Sequence, residues 1–487
     1  MEQVAPLQNA KYALDSHSIY ENLEHISVKD RDSAYTDRLV RQYYKRHSPL
    51  VWVDRLGVDD RADTLLAVLR REVPLMGFSE HAFFLTEIAA DLGRMKSLEF
   101  DNDNPLNLVC ARLEFNLTKA YLRYARGQRF GFVDPHVVLN SLYPTATDST
   151  GRALGYHRLF DVEMDRPDKH YMEQALDKVK ADSLDLYLAE ILPDDALYLR
   201  LRNLLPQADA TRRQTLLVNM ERRRWREHDR PERHDKYVLV NVPAYHLWAV
   251  DGDSAIDMRA ACGAQKTKTP LLSSYVNRMD VNPEWLIPSS IISNDIARHA
   301  GNPDYFSRHR YYIVNRNTGK RANTAEVTKA QLLSGQYRVA QEGGAGNSLG
   351  RIIFRFPNNF SVFLHDTSSR DVFSRDNRGV SHGCVRVQHP FDLAQFMLGA
   401  DGDDWTLDKL RISMGIAPES DQGKEYMADT LKRKQTRLVH SLSVSPRVPL
   451  YITYYTVYPD PSGQLQYYPD VYGYDKAVSR TLEKYIR

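Results

Sequence analysis

The chain has 487 residues, too many for one ordinary hydrophobic core, so two or three domains are expected. Its 65 basic and 63 acidic residues leave a formal net charge of only +2, which gives no support to a nucleic-acid or polyanion binder. No apolar run reaches the roughly 18 to 20 residues that span a bilayer, and residues 1–30 lack the basic start and apolar stretch of a signal peptide.

From about residue 30 to 230 the pattern is helical. Leu65, Leu66, Val68 and Leu69 recur at helical spacing within Arg61–Arg71, and Leu106–Tyr124 alternates apolar and charged faces with the same period. Cys110 lies within the second of these and reads as a small buried hydrophobe. A turn-rich gap from Tyr143 to Tyr156, with Pro144, Gly151 and Gly155, precedes further helices between Lys169 and Leu204. The basic run Arg222–Arg226, with Trp225 inside it, reads as a solvated helix face. No chemistry clusters in this half, so it is expected to be a scaffold.

The pattern changes at Lys236. Tyr237–Val242 is a strand, and His246–Asp251, the turn Asp251-Gly252-Asp253 and Ala255–Ala261 form a hairpin. Further strands are expected at Ile352–Phe356, Phe360–His365 and Leu450–Tyr458, with helices at Phe391–Leu398 and Lys476–Tyr485. Residues 289–340 read as an insertion, with helix at Asp295–Asn302 and Ala325–Leu333 around a strand at Tyr311–Asn315. An excursion of that length beside a site is often a lid. Cys110, Cys262 and Cys384 are an odd, sparse set, so no disulfide framework is expected. Cys262, at the end of a strand-like run, is read as packing.

The chemistry concentrates between Phe363 and Val387. Alternation along Phe360–His365 puts Ser361, Phe363 and His365 on one face, with His365 at the strand's end. If His365 and Cys384 flank one loop, the imidazole can take the thiol's proton and favour a thiolate of depressed pKa. Arg370, Arg375 and Arg378 in that loop would add positive potential. Gly383 permits a backbone conformation that points amides at a developing oxyanion. Arg386 shares an extended-chain face with Cys384, and its planar fork suits a carboxylate or a carbonyl clamp. His382 is the rival base, although neighbouring side chains on an extended chain point apart. A metal site built from His365, His382, Cys384 and His389 matches no zinc spacing, so no metal or other cofactor is expected.

Phe363-Leu364-His365-Asp366-Thr367 followed by Ser381-His382-Gly383-Cys384-Val385-Arg386-Val387 resembles the signature of the YkuD-type L,D-transpeptidases, cysteine enzymes that cross-link bacterial peptidoglycan. Asn219–Trp225, Thr269–Ser274, Asn282–Pro288, Gly346–Arg351 and Tyr121–Gly127 resemble the YcbB-like branch of that family. The resemblance implies an α+β chain, with a helical scaffold domain at 1–205, a connecting helix or linker at 206–235 and a mainly β catalytic domain at 236–487. Residues 289–340 would be an inserted capping subdomain. It implies Cys384 as nucleophile, His365 as general acid and base, and the Asp366 carbonyl as the group that orients the imidazole. The amides of Gly383 and Cys384 would form the oxyanion hole, with Ser381, His382 and Arg386 binding substrate.

By the same resemblance, donor and acceptor are peptidoglycan stem peptides. D-alanine leaves a tetrapeptide stem, 3→3 cross-links form, and a carbapenem acylates the cysteine. The place of action is the periplasm or cell envelope, which makes the sequence look like a processed or truncated form. The phenylalanine-glutamine pair and the glycine-leucine-aspartate-glycine pattern of a wall-binding module common in the branch are missing from 170–220, so that module is expected to be absent. Water as acceptor would make the same site an L,D-carboxypeptidase. A sortase usually separates its cysteine and arginine by a strand and loop, unlike Cys384 and Arg386. A catalytically silent wall-binding protein would not need the full residue set present.

Overall fold

The computed structural model describes residues 10–181, 183–429 and 438–486; the ends of the expected domain ranges, 1–9 and 487, lie outside them. Helices α1 (Ser16–Lys29), α2 (Tyr35–Lys45), α3 (Asp60–Leu75) and α4 (Leu85–Ser97) surround α5 (Leu106–Phe130). Aspartates start several of them: Asp15 caps α1 and Asp59 caps α3 by accepting backbone N–H groups of the first turn. α5 is buried over nearly its whole surface, which marks a central helix. Its one deeply buried carboxylate, Glu114, accepts the Val51, Trp52 and Val53 amides at 2.6–3.0 Å and the Tyr44 hydroxyl at 2.6 Å. The gap at 143–156 is a small antiparallel hairpin, Pro144–Thr147 with Ala153–Tyr156. Helices α6 (Tyr171–Lys180), α7 (Leu184–Glu190), α8 (Ala196–Leu204) and α9 (Ala210–Arg224) follow.

The second half is built on a closed sheet. Its strands are β1 (Lys236–Asn241), β2 (His246–Asp251), β3 (Ser254–Gly263), β4 (Leu271–Val281), β5 (Ile352–Arg355), β6 (Leu364–His365), β7 (Val385–Val387) and β8 (Ser441–Thr453). β1, β2 and β3 form an antiparallel meander whose second turn is carried by Gly252 at φ +56°. The order runs β5-β6-β7-β3-β2-β1-β8-β4, and antiparallel pairing of β4 with β5 closes the ring. Outside this ring Gly379–Ser381 lies parallel to the end of β3, and Phe160–Asp161, from the helical half, lies parallel to β4. Helices α10 (Pro390–Leu398), α11 (Asp404–Met414) and α12 (Asp421–Ala428) follow β7, and α13 (Tyr474–Ile486) ends the chain.

The insertion is an extended detour between β4 and β5. It folds its own four-stranded sheet from Trp285–Leu286, Tyr311–Asn315, Arg321–Ala322 and Tyr337–Gln341, over a separate core that includes Ile292, Phe306, Ile313 and Val339. The expected helix at Ala325–Leu333 is confined to Lys329–Leu333, where Thr328 and Gln331 form a capping box.

Two expectations are corrected. Arg222, Arg223 and Arg224 do not face solvent; they are 3%, 3% and 1% exposed. Successive helical residues point in different directions around α9, and each guanidinium meets a different element. Arg222 pairs with Asp475 of α13 at 2.7 Å, and Arg223 with Asp195 and with Glu232. Arg224 pairs with Glu221 at 3.2 Å and donates to the Tyr198 hydroxyl at 3.0 Å. α9 is therefore the buried link between the halves. α13 adds a second link, because Tyr485 packs its ring among Phe78, Phe83 and Phe132 of the helical half. The other correction concerns Phe360–His365, of which only Leu364 and His365 pair in the sheet. Asn358 takes the Phe360 and Val362 amides at 3.0 and 3.1 Å and donates to the Val362 carbonyl at 2.8 Å, replacing a ladder with a side-chain turn. Ser361 accordingly sits at φ +55°.

Arg223→Met should destabilise the protein by about 3–5 kcal/mol, because it strands the largely buried Asp195 carboxylate without its partner. Chemical denaturation of the variant beside the wild type measures the difference.

Candidate active site

The site grows from one short parallel pair. Leu364 lies opposite Val385 and His365 opposite Arg386, with β5 on the far side of β6 and β3 on the far side of β7. Cys384 stands immediately before β7. The Val385 N–H donates to the Phe363 carbonyl at 3.1 Å. Cys384, His365 and Arg386 thus lie on or immediately beside neighbouring strands of one sheet. His365 is 4% exposed and donates from Nδ1 to the Asp366 carbonyl at 2.5 Å, which leaves Nε2 as the acceptor of the neutral ring. Arg386 is half-buried, and its Nε is buried with no hydrogen-bond partner among the described residues.

Gly383 has φ +117°, a region closed to side chains, although a Cβ there would make only ordinary contacts, 3.4 Å from Val362 and 3.6 Å from the Lys268 carbonyl. Backbone conformation and not crowding is what requires glycine. The two expected oxyanion amides are not equivalent. Gly383 N–H donates to Ser381 Oγ at 3.1 Å, while no hydrogen bond engages that of Cys384 among the described residues. Ser381, expected to bind substrate, is 3% exposed, and its hydroxyl donates to the Cys384 carbonyl at 2.5 Å. It holds the loop's shape. His382 is exposed, and His389 is exposed beside Asp392 at 3.9 Å. Among the described residues no three His, Cys, Asp or Glu side chains are arranged to hold a metal ion.

The electrostatics correct a further expectation. Burial pushes the Cys384 thiol up to about 11, against the Phe363 hydrogen bond and the charges of Arg386 and Arg355, which pull it down. Burial also pushes His365 down to about 3, and the neighbouring Arg386 adds to the effect. At neutral pH the pair rests as thiol and neutral imidazole, not as thiolate and imidazolium. Nor do the three loop arginines supply free charge. Arg370 pairs with Asp366 at 3.0 Å and Arg375 with Asp371 at 2.5 Å. Arg378 is buried and donates to the carbonyls of Ala260, Arg375 and Tyr245.

Sequence reasoning missed the support behind the loop. Thr267 Oγ1 donates to the Ser381 carbonyl at 2.7 Å, Gly263 N–H to Thr269 Oγ1 at 2.8 Å, and the Tyr472 hydroxyl to the Gly263 carbonyl at 2.6 Å. A Cβ on Gly263 would stand 2.1 Å from the Thr267 carbonyl, so this glycine is fixed by crowding. The signal available was the glycine that ends a β-rich run just before a threonine-rich turn. Cys110 and Cys262 are buried, as their contexts suggested.

A closed sheet carrying a cysteine, a histidine and an arginine on adjacent strands, beside a helical half, defines a class. Residues 235–422 match the family model described as the L,D-transpeptidase catalytic domain, YkuD, and residues 37–205 match that described as the Scaffold domain. The two matches together take in most of the chain, which carries a YkuD L,D-transpeptidase catalytic domain behind a Scaffold domain, consistent with the YcbB-like architecture. Among individual proteins, it is similar to one from Haemophilus influenzae named "Putative L,D-transpeptidase", 26% identical over 351 residues. That alignment takes in 70% of this chain and 66% of the relative.

Alkylation of Cys384 by iodoacetamide should accelerate by about tenfold per pH unit from 7 to 10, with no plateau near neutrality, because only the thiolate reacts. Peptide mass spectrometry with Cys384→Ala as blank gives the rates. His365 makes its own prediction. Its folded-state pKa lies below the ~6.5 of an exposed histidine, so on acidification the unfolded chain takes up the proton first. Stability should fall as pH drops from about 6.5 towards 3, and less steeply in His365→Gln when both are unfolded by urea across that range.

Proposed function

We propose that the chain is a peptidoglycan L,D-transpeptidase that works by cysteine acyl transfer in the cell envelope. The observation that carries this reading is the register of β6 and β7, with His365 opposite Arg386 and Cys384 one step before that strand. Its donor is a tetrapeptide stem. The Cys384 sulfur attacks the carbonyl carbon of the third residue while its proton passes to Nε2 of the neutral imidazole, whose Nδ1–H is held by the Asp366 carbonyl. Negative charge on the tetrahedral oxygen is taken by the Cys384 amide, and by the Gly383 amide once it releases Ser381 Oγ. The C–N bond to D-alanine then breaks, the imidazole returns the proton to the leaving amine, and a thioester remains.

In the second half the amine of a neighbouring stem attacks the thioester and gives its proton to the imidazole. The amide bond forms, sulfur leaves, and the proton returns to it. Arg386, with a buried Nε lacking a protein partner, takes a carboxylate or carbonyl of the stem. Because thiol and imidazole both rest neutral, proton transfer and attack occur together on bound substrate and not from a standing thiolate. The inserted subdomain limits access of water to the thioester, which favours an amine over hydrolysis.

Incubation with a tetrapeptide muropeptide should release D-alanine and give a 3→3 dimer, and a carbapenem should leave one covalent adduct. Cys384→Ala should lose both activities, and His365→Ala should lose turnover with its melting profile retained. Removal of 289–340 should raise the ratio of hydrolysed to cross-linked product. Persistence of the adduct in Cys384→Ala would place the nucleophile elsewhere.

A further inference from the structure

The root of the inserted subdomain is tied to the imidazole through a side chain that the proposed mechanism does not use. The chain returns from Tyr337–Gln341 through 342–351 into β5, beside the His365 strand. Asn347 is fully buried, donates to the Glu342 carbonyl at 2.9 Å and accepts the Leu349 amide at 2.7 Å, so the end of the subdomain and the last residues before β5 move as one piece.

The next contact is the Asp366 carboxylate, on a residue 6% exposed. Its Oδ2 accepts the Arg351 amide at 2.8 Å, and its Oδ1 accepts from Arg370 at 3.0 Å. Arg370 also donates to the Gln388 carbonyl at 2.8 Å, just past the end of β7. Gly350, at φ +67°, passes so close that a Cβ there would stand 2.4 Å from the carboxylate carbon. The main chain of Asp366 meanwhile donates to the Ile352 carbonyl at 3.0 Å and accepts from His365 Nδ1. One residue therefore fastens the subdomain's return segment, the histidine and the strand that follows the cysteine.

We propose that the Asp366 carboxylate is a positioning residue that couples the seating of the inserted subdomain to the tautomer of His365. With 347–351 in place, the Arg351 amide holds the carboxylate, the Asp366 peptide points its carbonyl at Nδ1, and Nε2 is the bare nitrogen. When that segment lifts, the peptide loses its anchor and the ring loses the acceptor that fixes its proton. This deepens the proposed function, on which it rests, by making proton transfer conditional on a seated subdomain.

The test uses the full chain with 15N-labelled histidine, in wild type, Asp366→Asn and Gly350→Ala. Gly350→Ala disturbs the same carboxylate from the opposite side without altering Asp366. Both variants should show a mixed tautomer signal for His365 where the wild type shows Nδ1–H alone. In the muropeptide assay kcat should fall about 10- to 100-fold, with the donor's KM within about twofold of wild type. Wild-type imidazole signals in both folded variants would overturn the inference, as would an unchanged kcat. If Asp366→Asn does not fold, Gly350→Ala decides. A wild-type protein that releases no D-alanine would sink the proposed function, and the imidazole signals alone would then decide this coupling.

Discussion

The parallel pairing of β6 with β7 is the constraint on which the site depends. Most contacts of the closed sheet are antiparallel and need only turns, whereas parallel neighbours require the chain to cross over. The crossover here runs from Asp366 to Cys384, so the residue leaving the first strand and the residue entering the second are the ones beside the chemistry. Its length has to be stiffened from within. Arg370, Arg375 and Arg378 do this work by closing on Asp366, Asp371 and the carbonyls of neighbouring strands. Their hydrogen bonds hold the crossover's shape.

That outcome fits the buried resting state. A thiolate and imidazolium held ready would need solvent or strong counter-charge, and the site offers a half-buried cysteine and a buried histidine beside the Asp366 carbonyl. Burial wins over Arg386 at the sulfur and acts with it at the imidazole. The fold therefore keeps both groups neutral and relies on a fixed tautomer. The low dielectric that suppresses the ion pair strengthens each hydrogen bond made to charge that develops during reaction.

Much of this was legible because local patterns suffice for it. The meander at 236–263 follows from alternation and a turn glycine, and the polar cluster at His365 and Cys384 stands out by residue type and spacing. Other features depend on partners far along the chain. Nothing local distinguishes Arg222–Arg224 from a solvated basic run, since their acceptors come from Asp475, Asp195, Glu232, Glu221 and Tyr198. Phe360–His365 alternates like a strand, yet Asn358 diverts its first half. Ser381 reads as a polar group facing substrate because sequence does not disclose that its hydroxyl is consumed by Gly383 and Cys384. The glycine before the cysteine was assigned its conformation correctly, but not the engagement of its amide.

The helical half contributes more than bulk. A long insertion separates the two strands that close the sheet, β4 and β5, which pair over 278–281 and 352–355. The helical half joins the other end of β4, where Phe160–Asp161 pairs with Leu271 and Leu272. Behind it, α9 fastens the segment that follows β8: Asn219 donates to the Thr456 hydroxyl at 2.7 Å and accepts the Thr456 amide at 3.1 Å. Tyr472 then reaches from the run before α13 to the Gly263 carbonyl at the end of β3, beneath the cysteine loop. Helix α9, the segment after β8 and the end of β3 beneath the cysteine loop are held by hydrogen bonds between buried groups, each costly to leave unmade. The arginines of α9 fix the helix from which Asn219 reaches the segment after β8, and the scaffold acts as a rigid base that a short parallel pair cannot provide for itself.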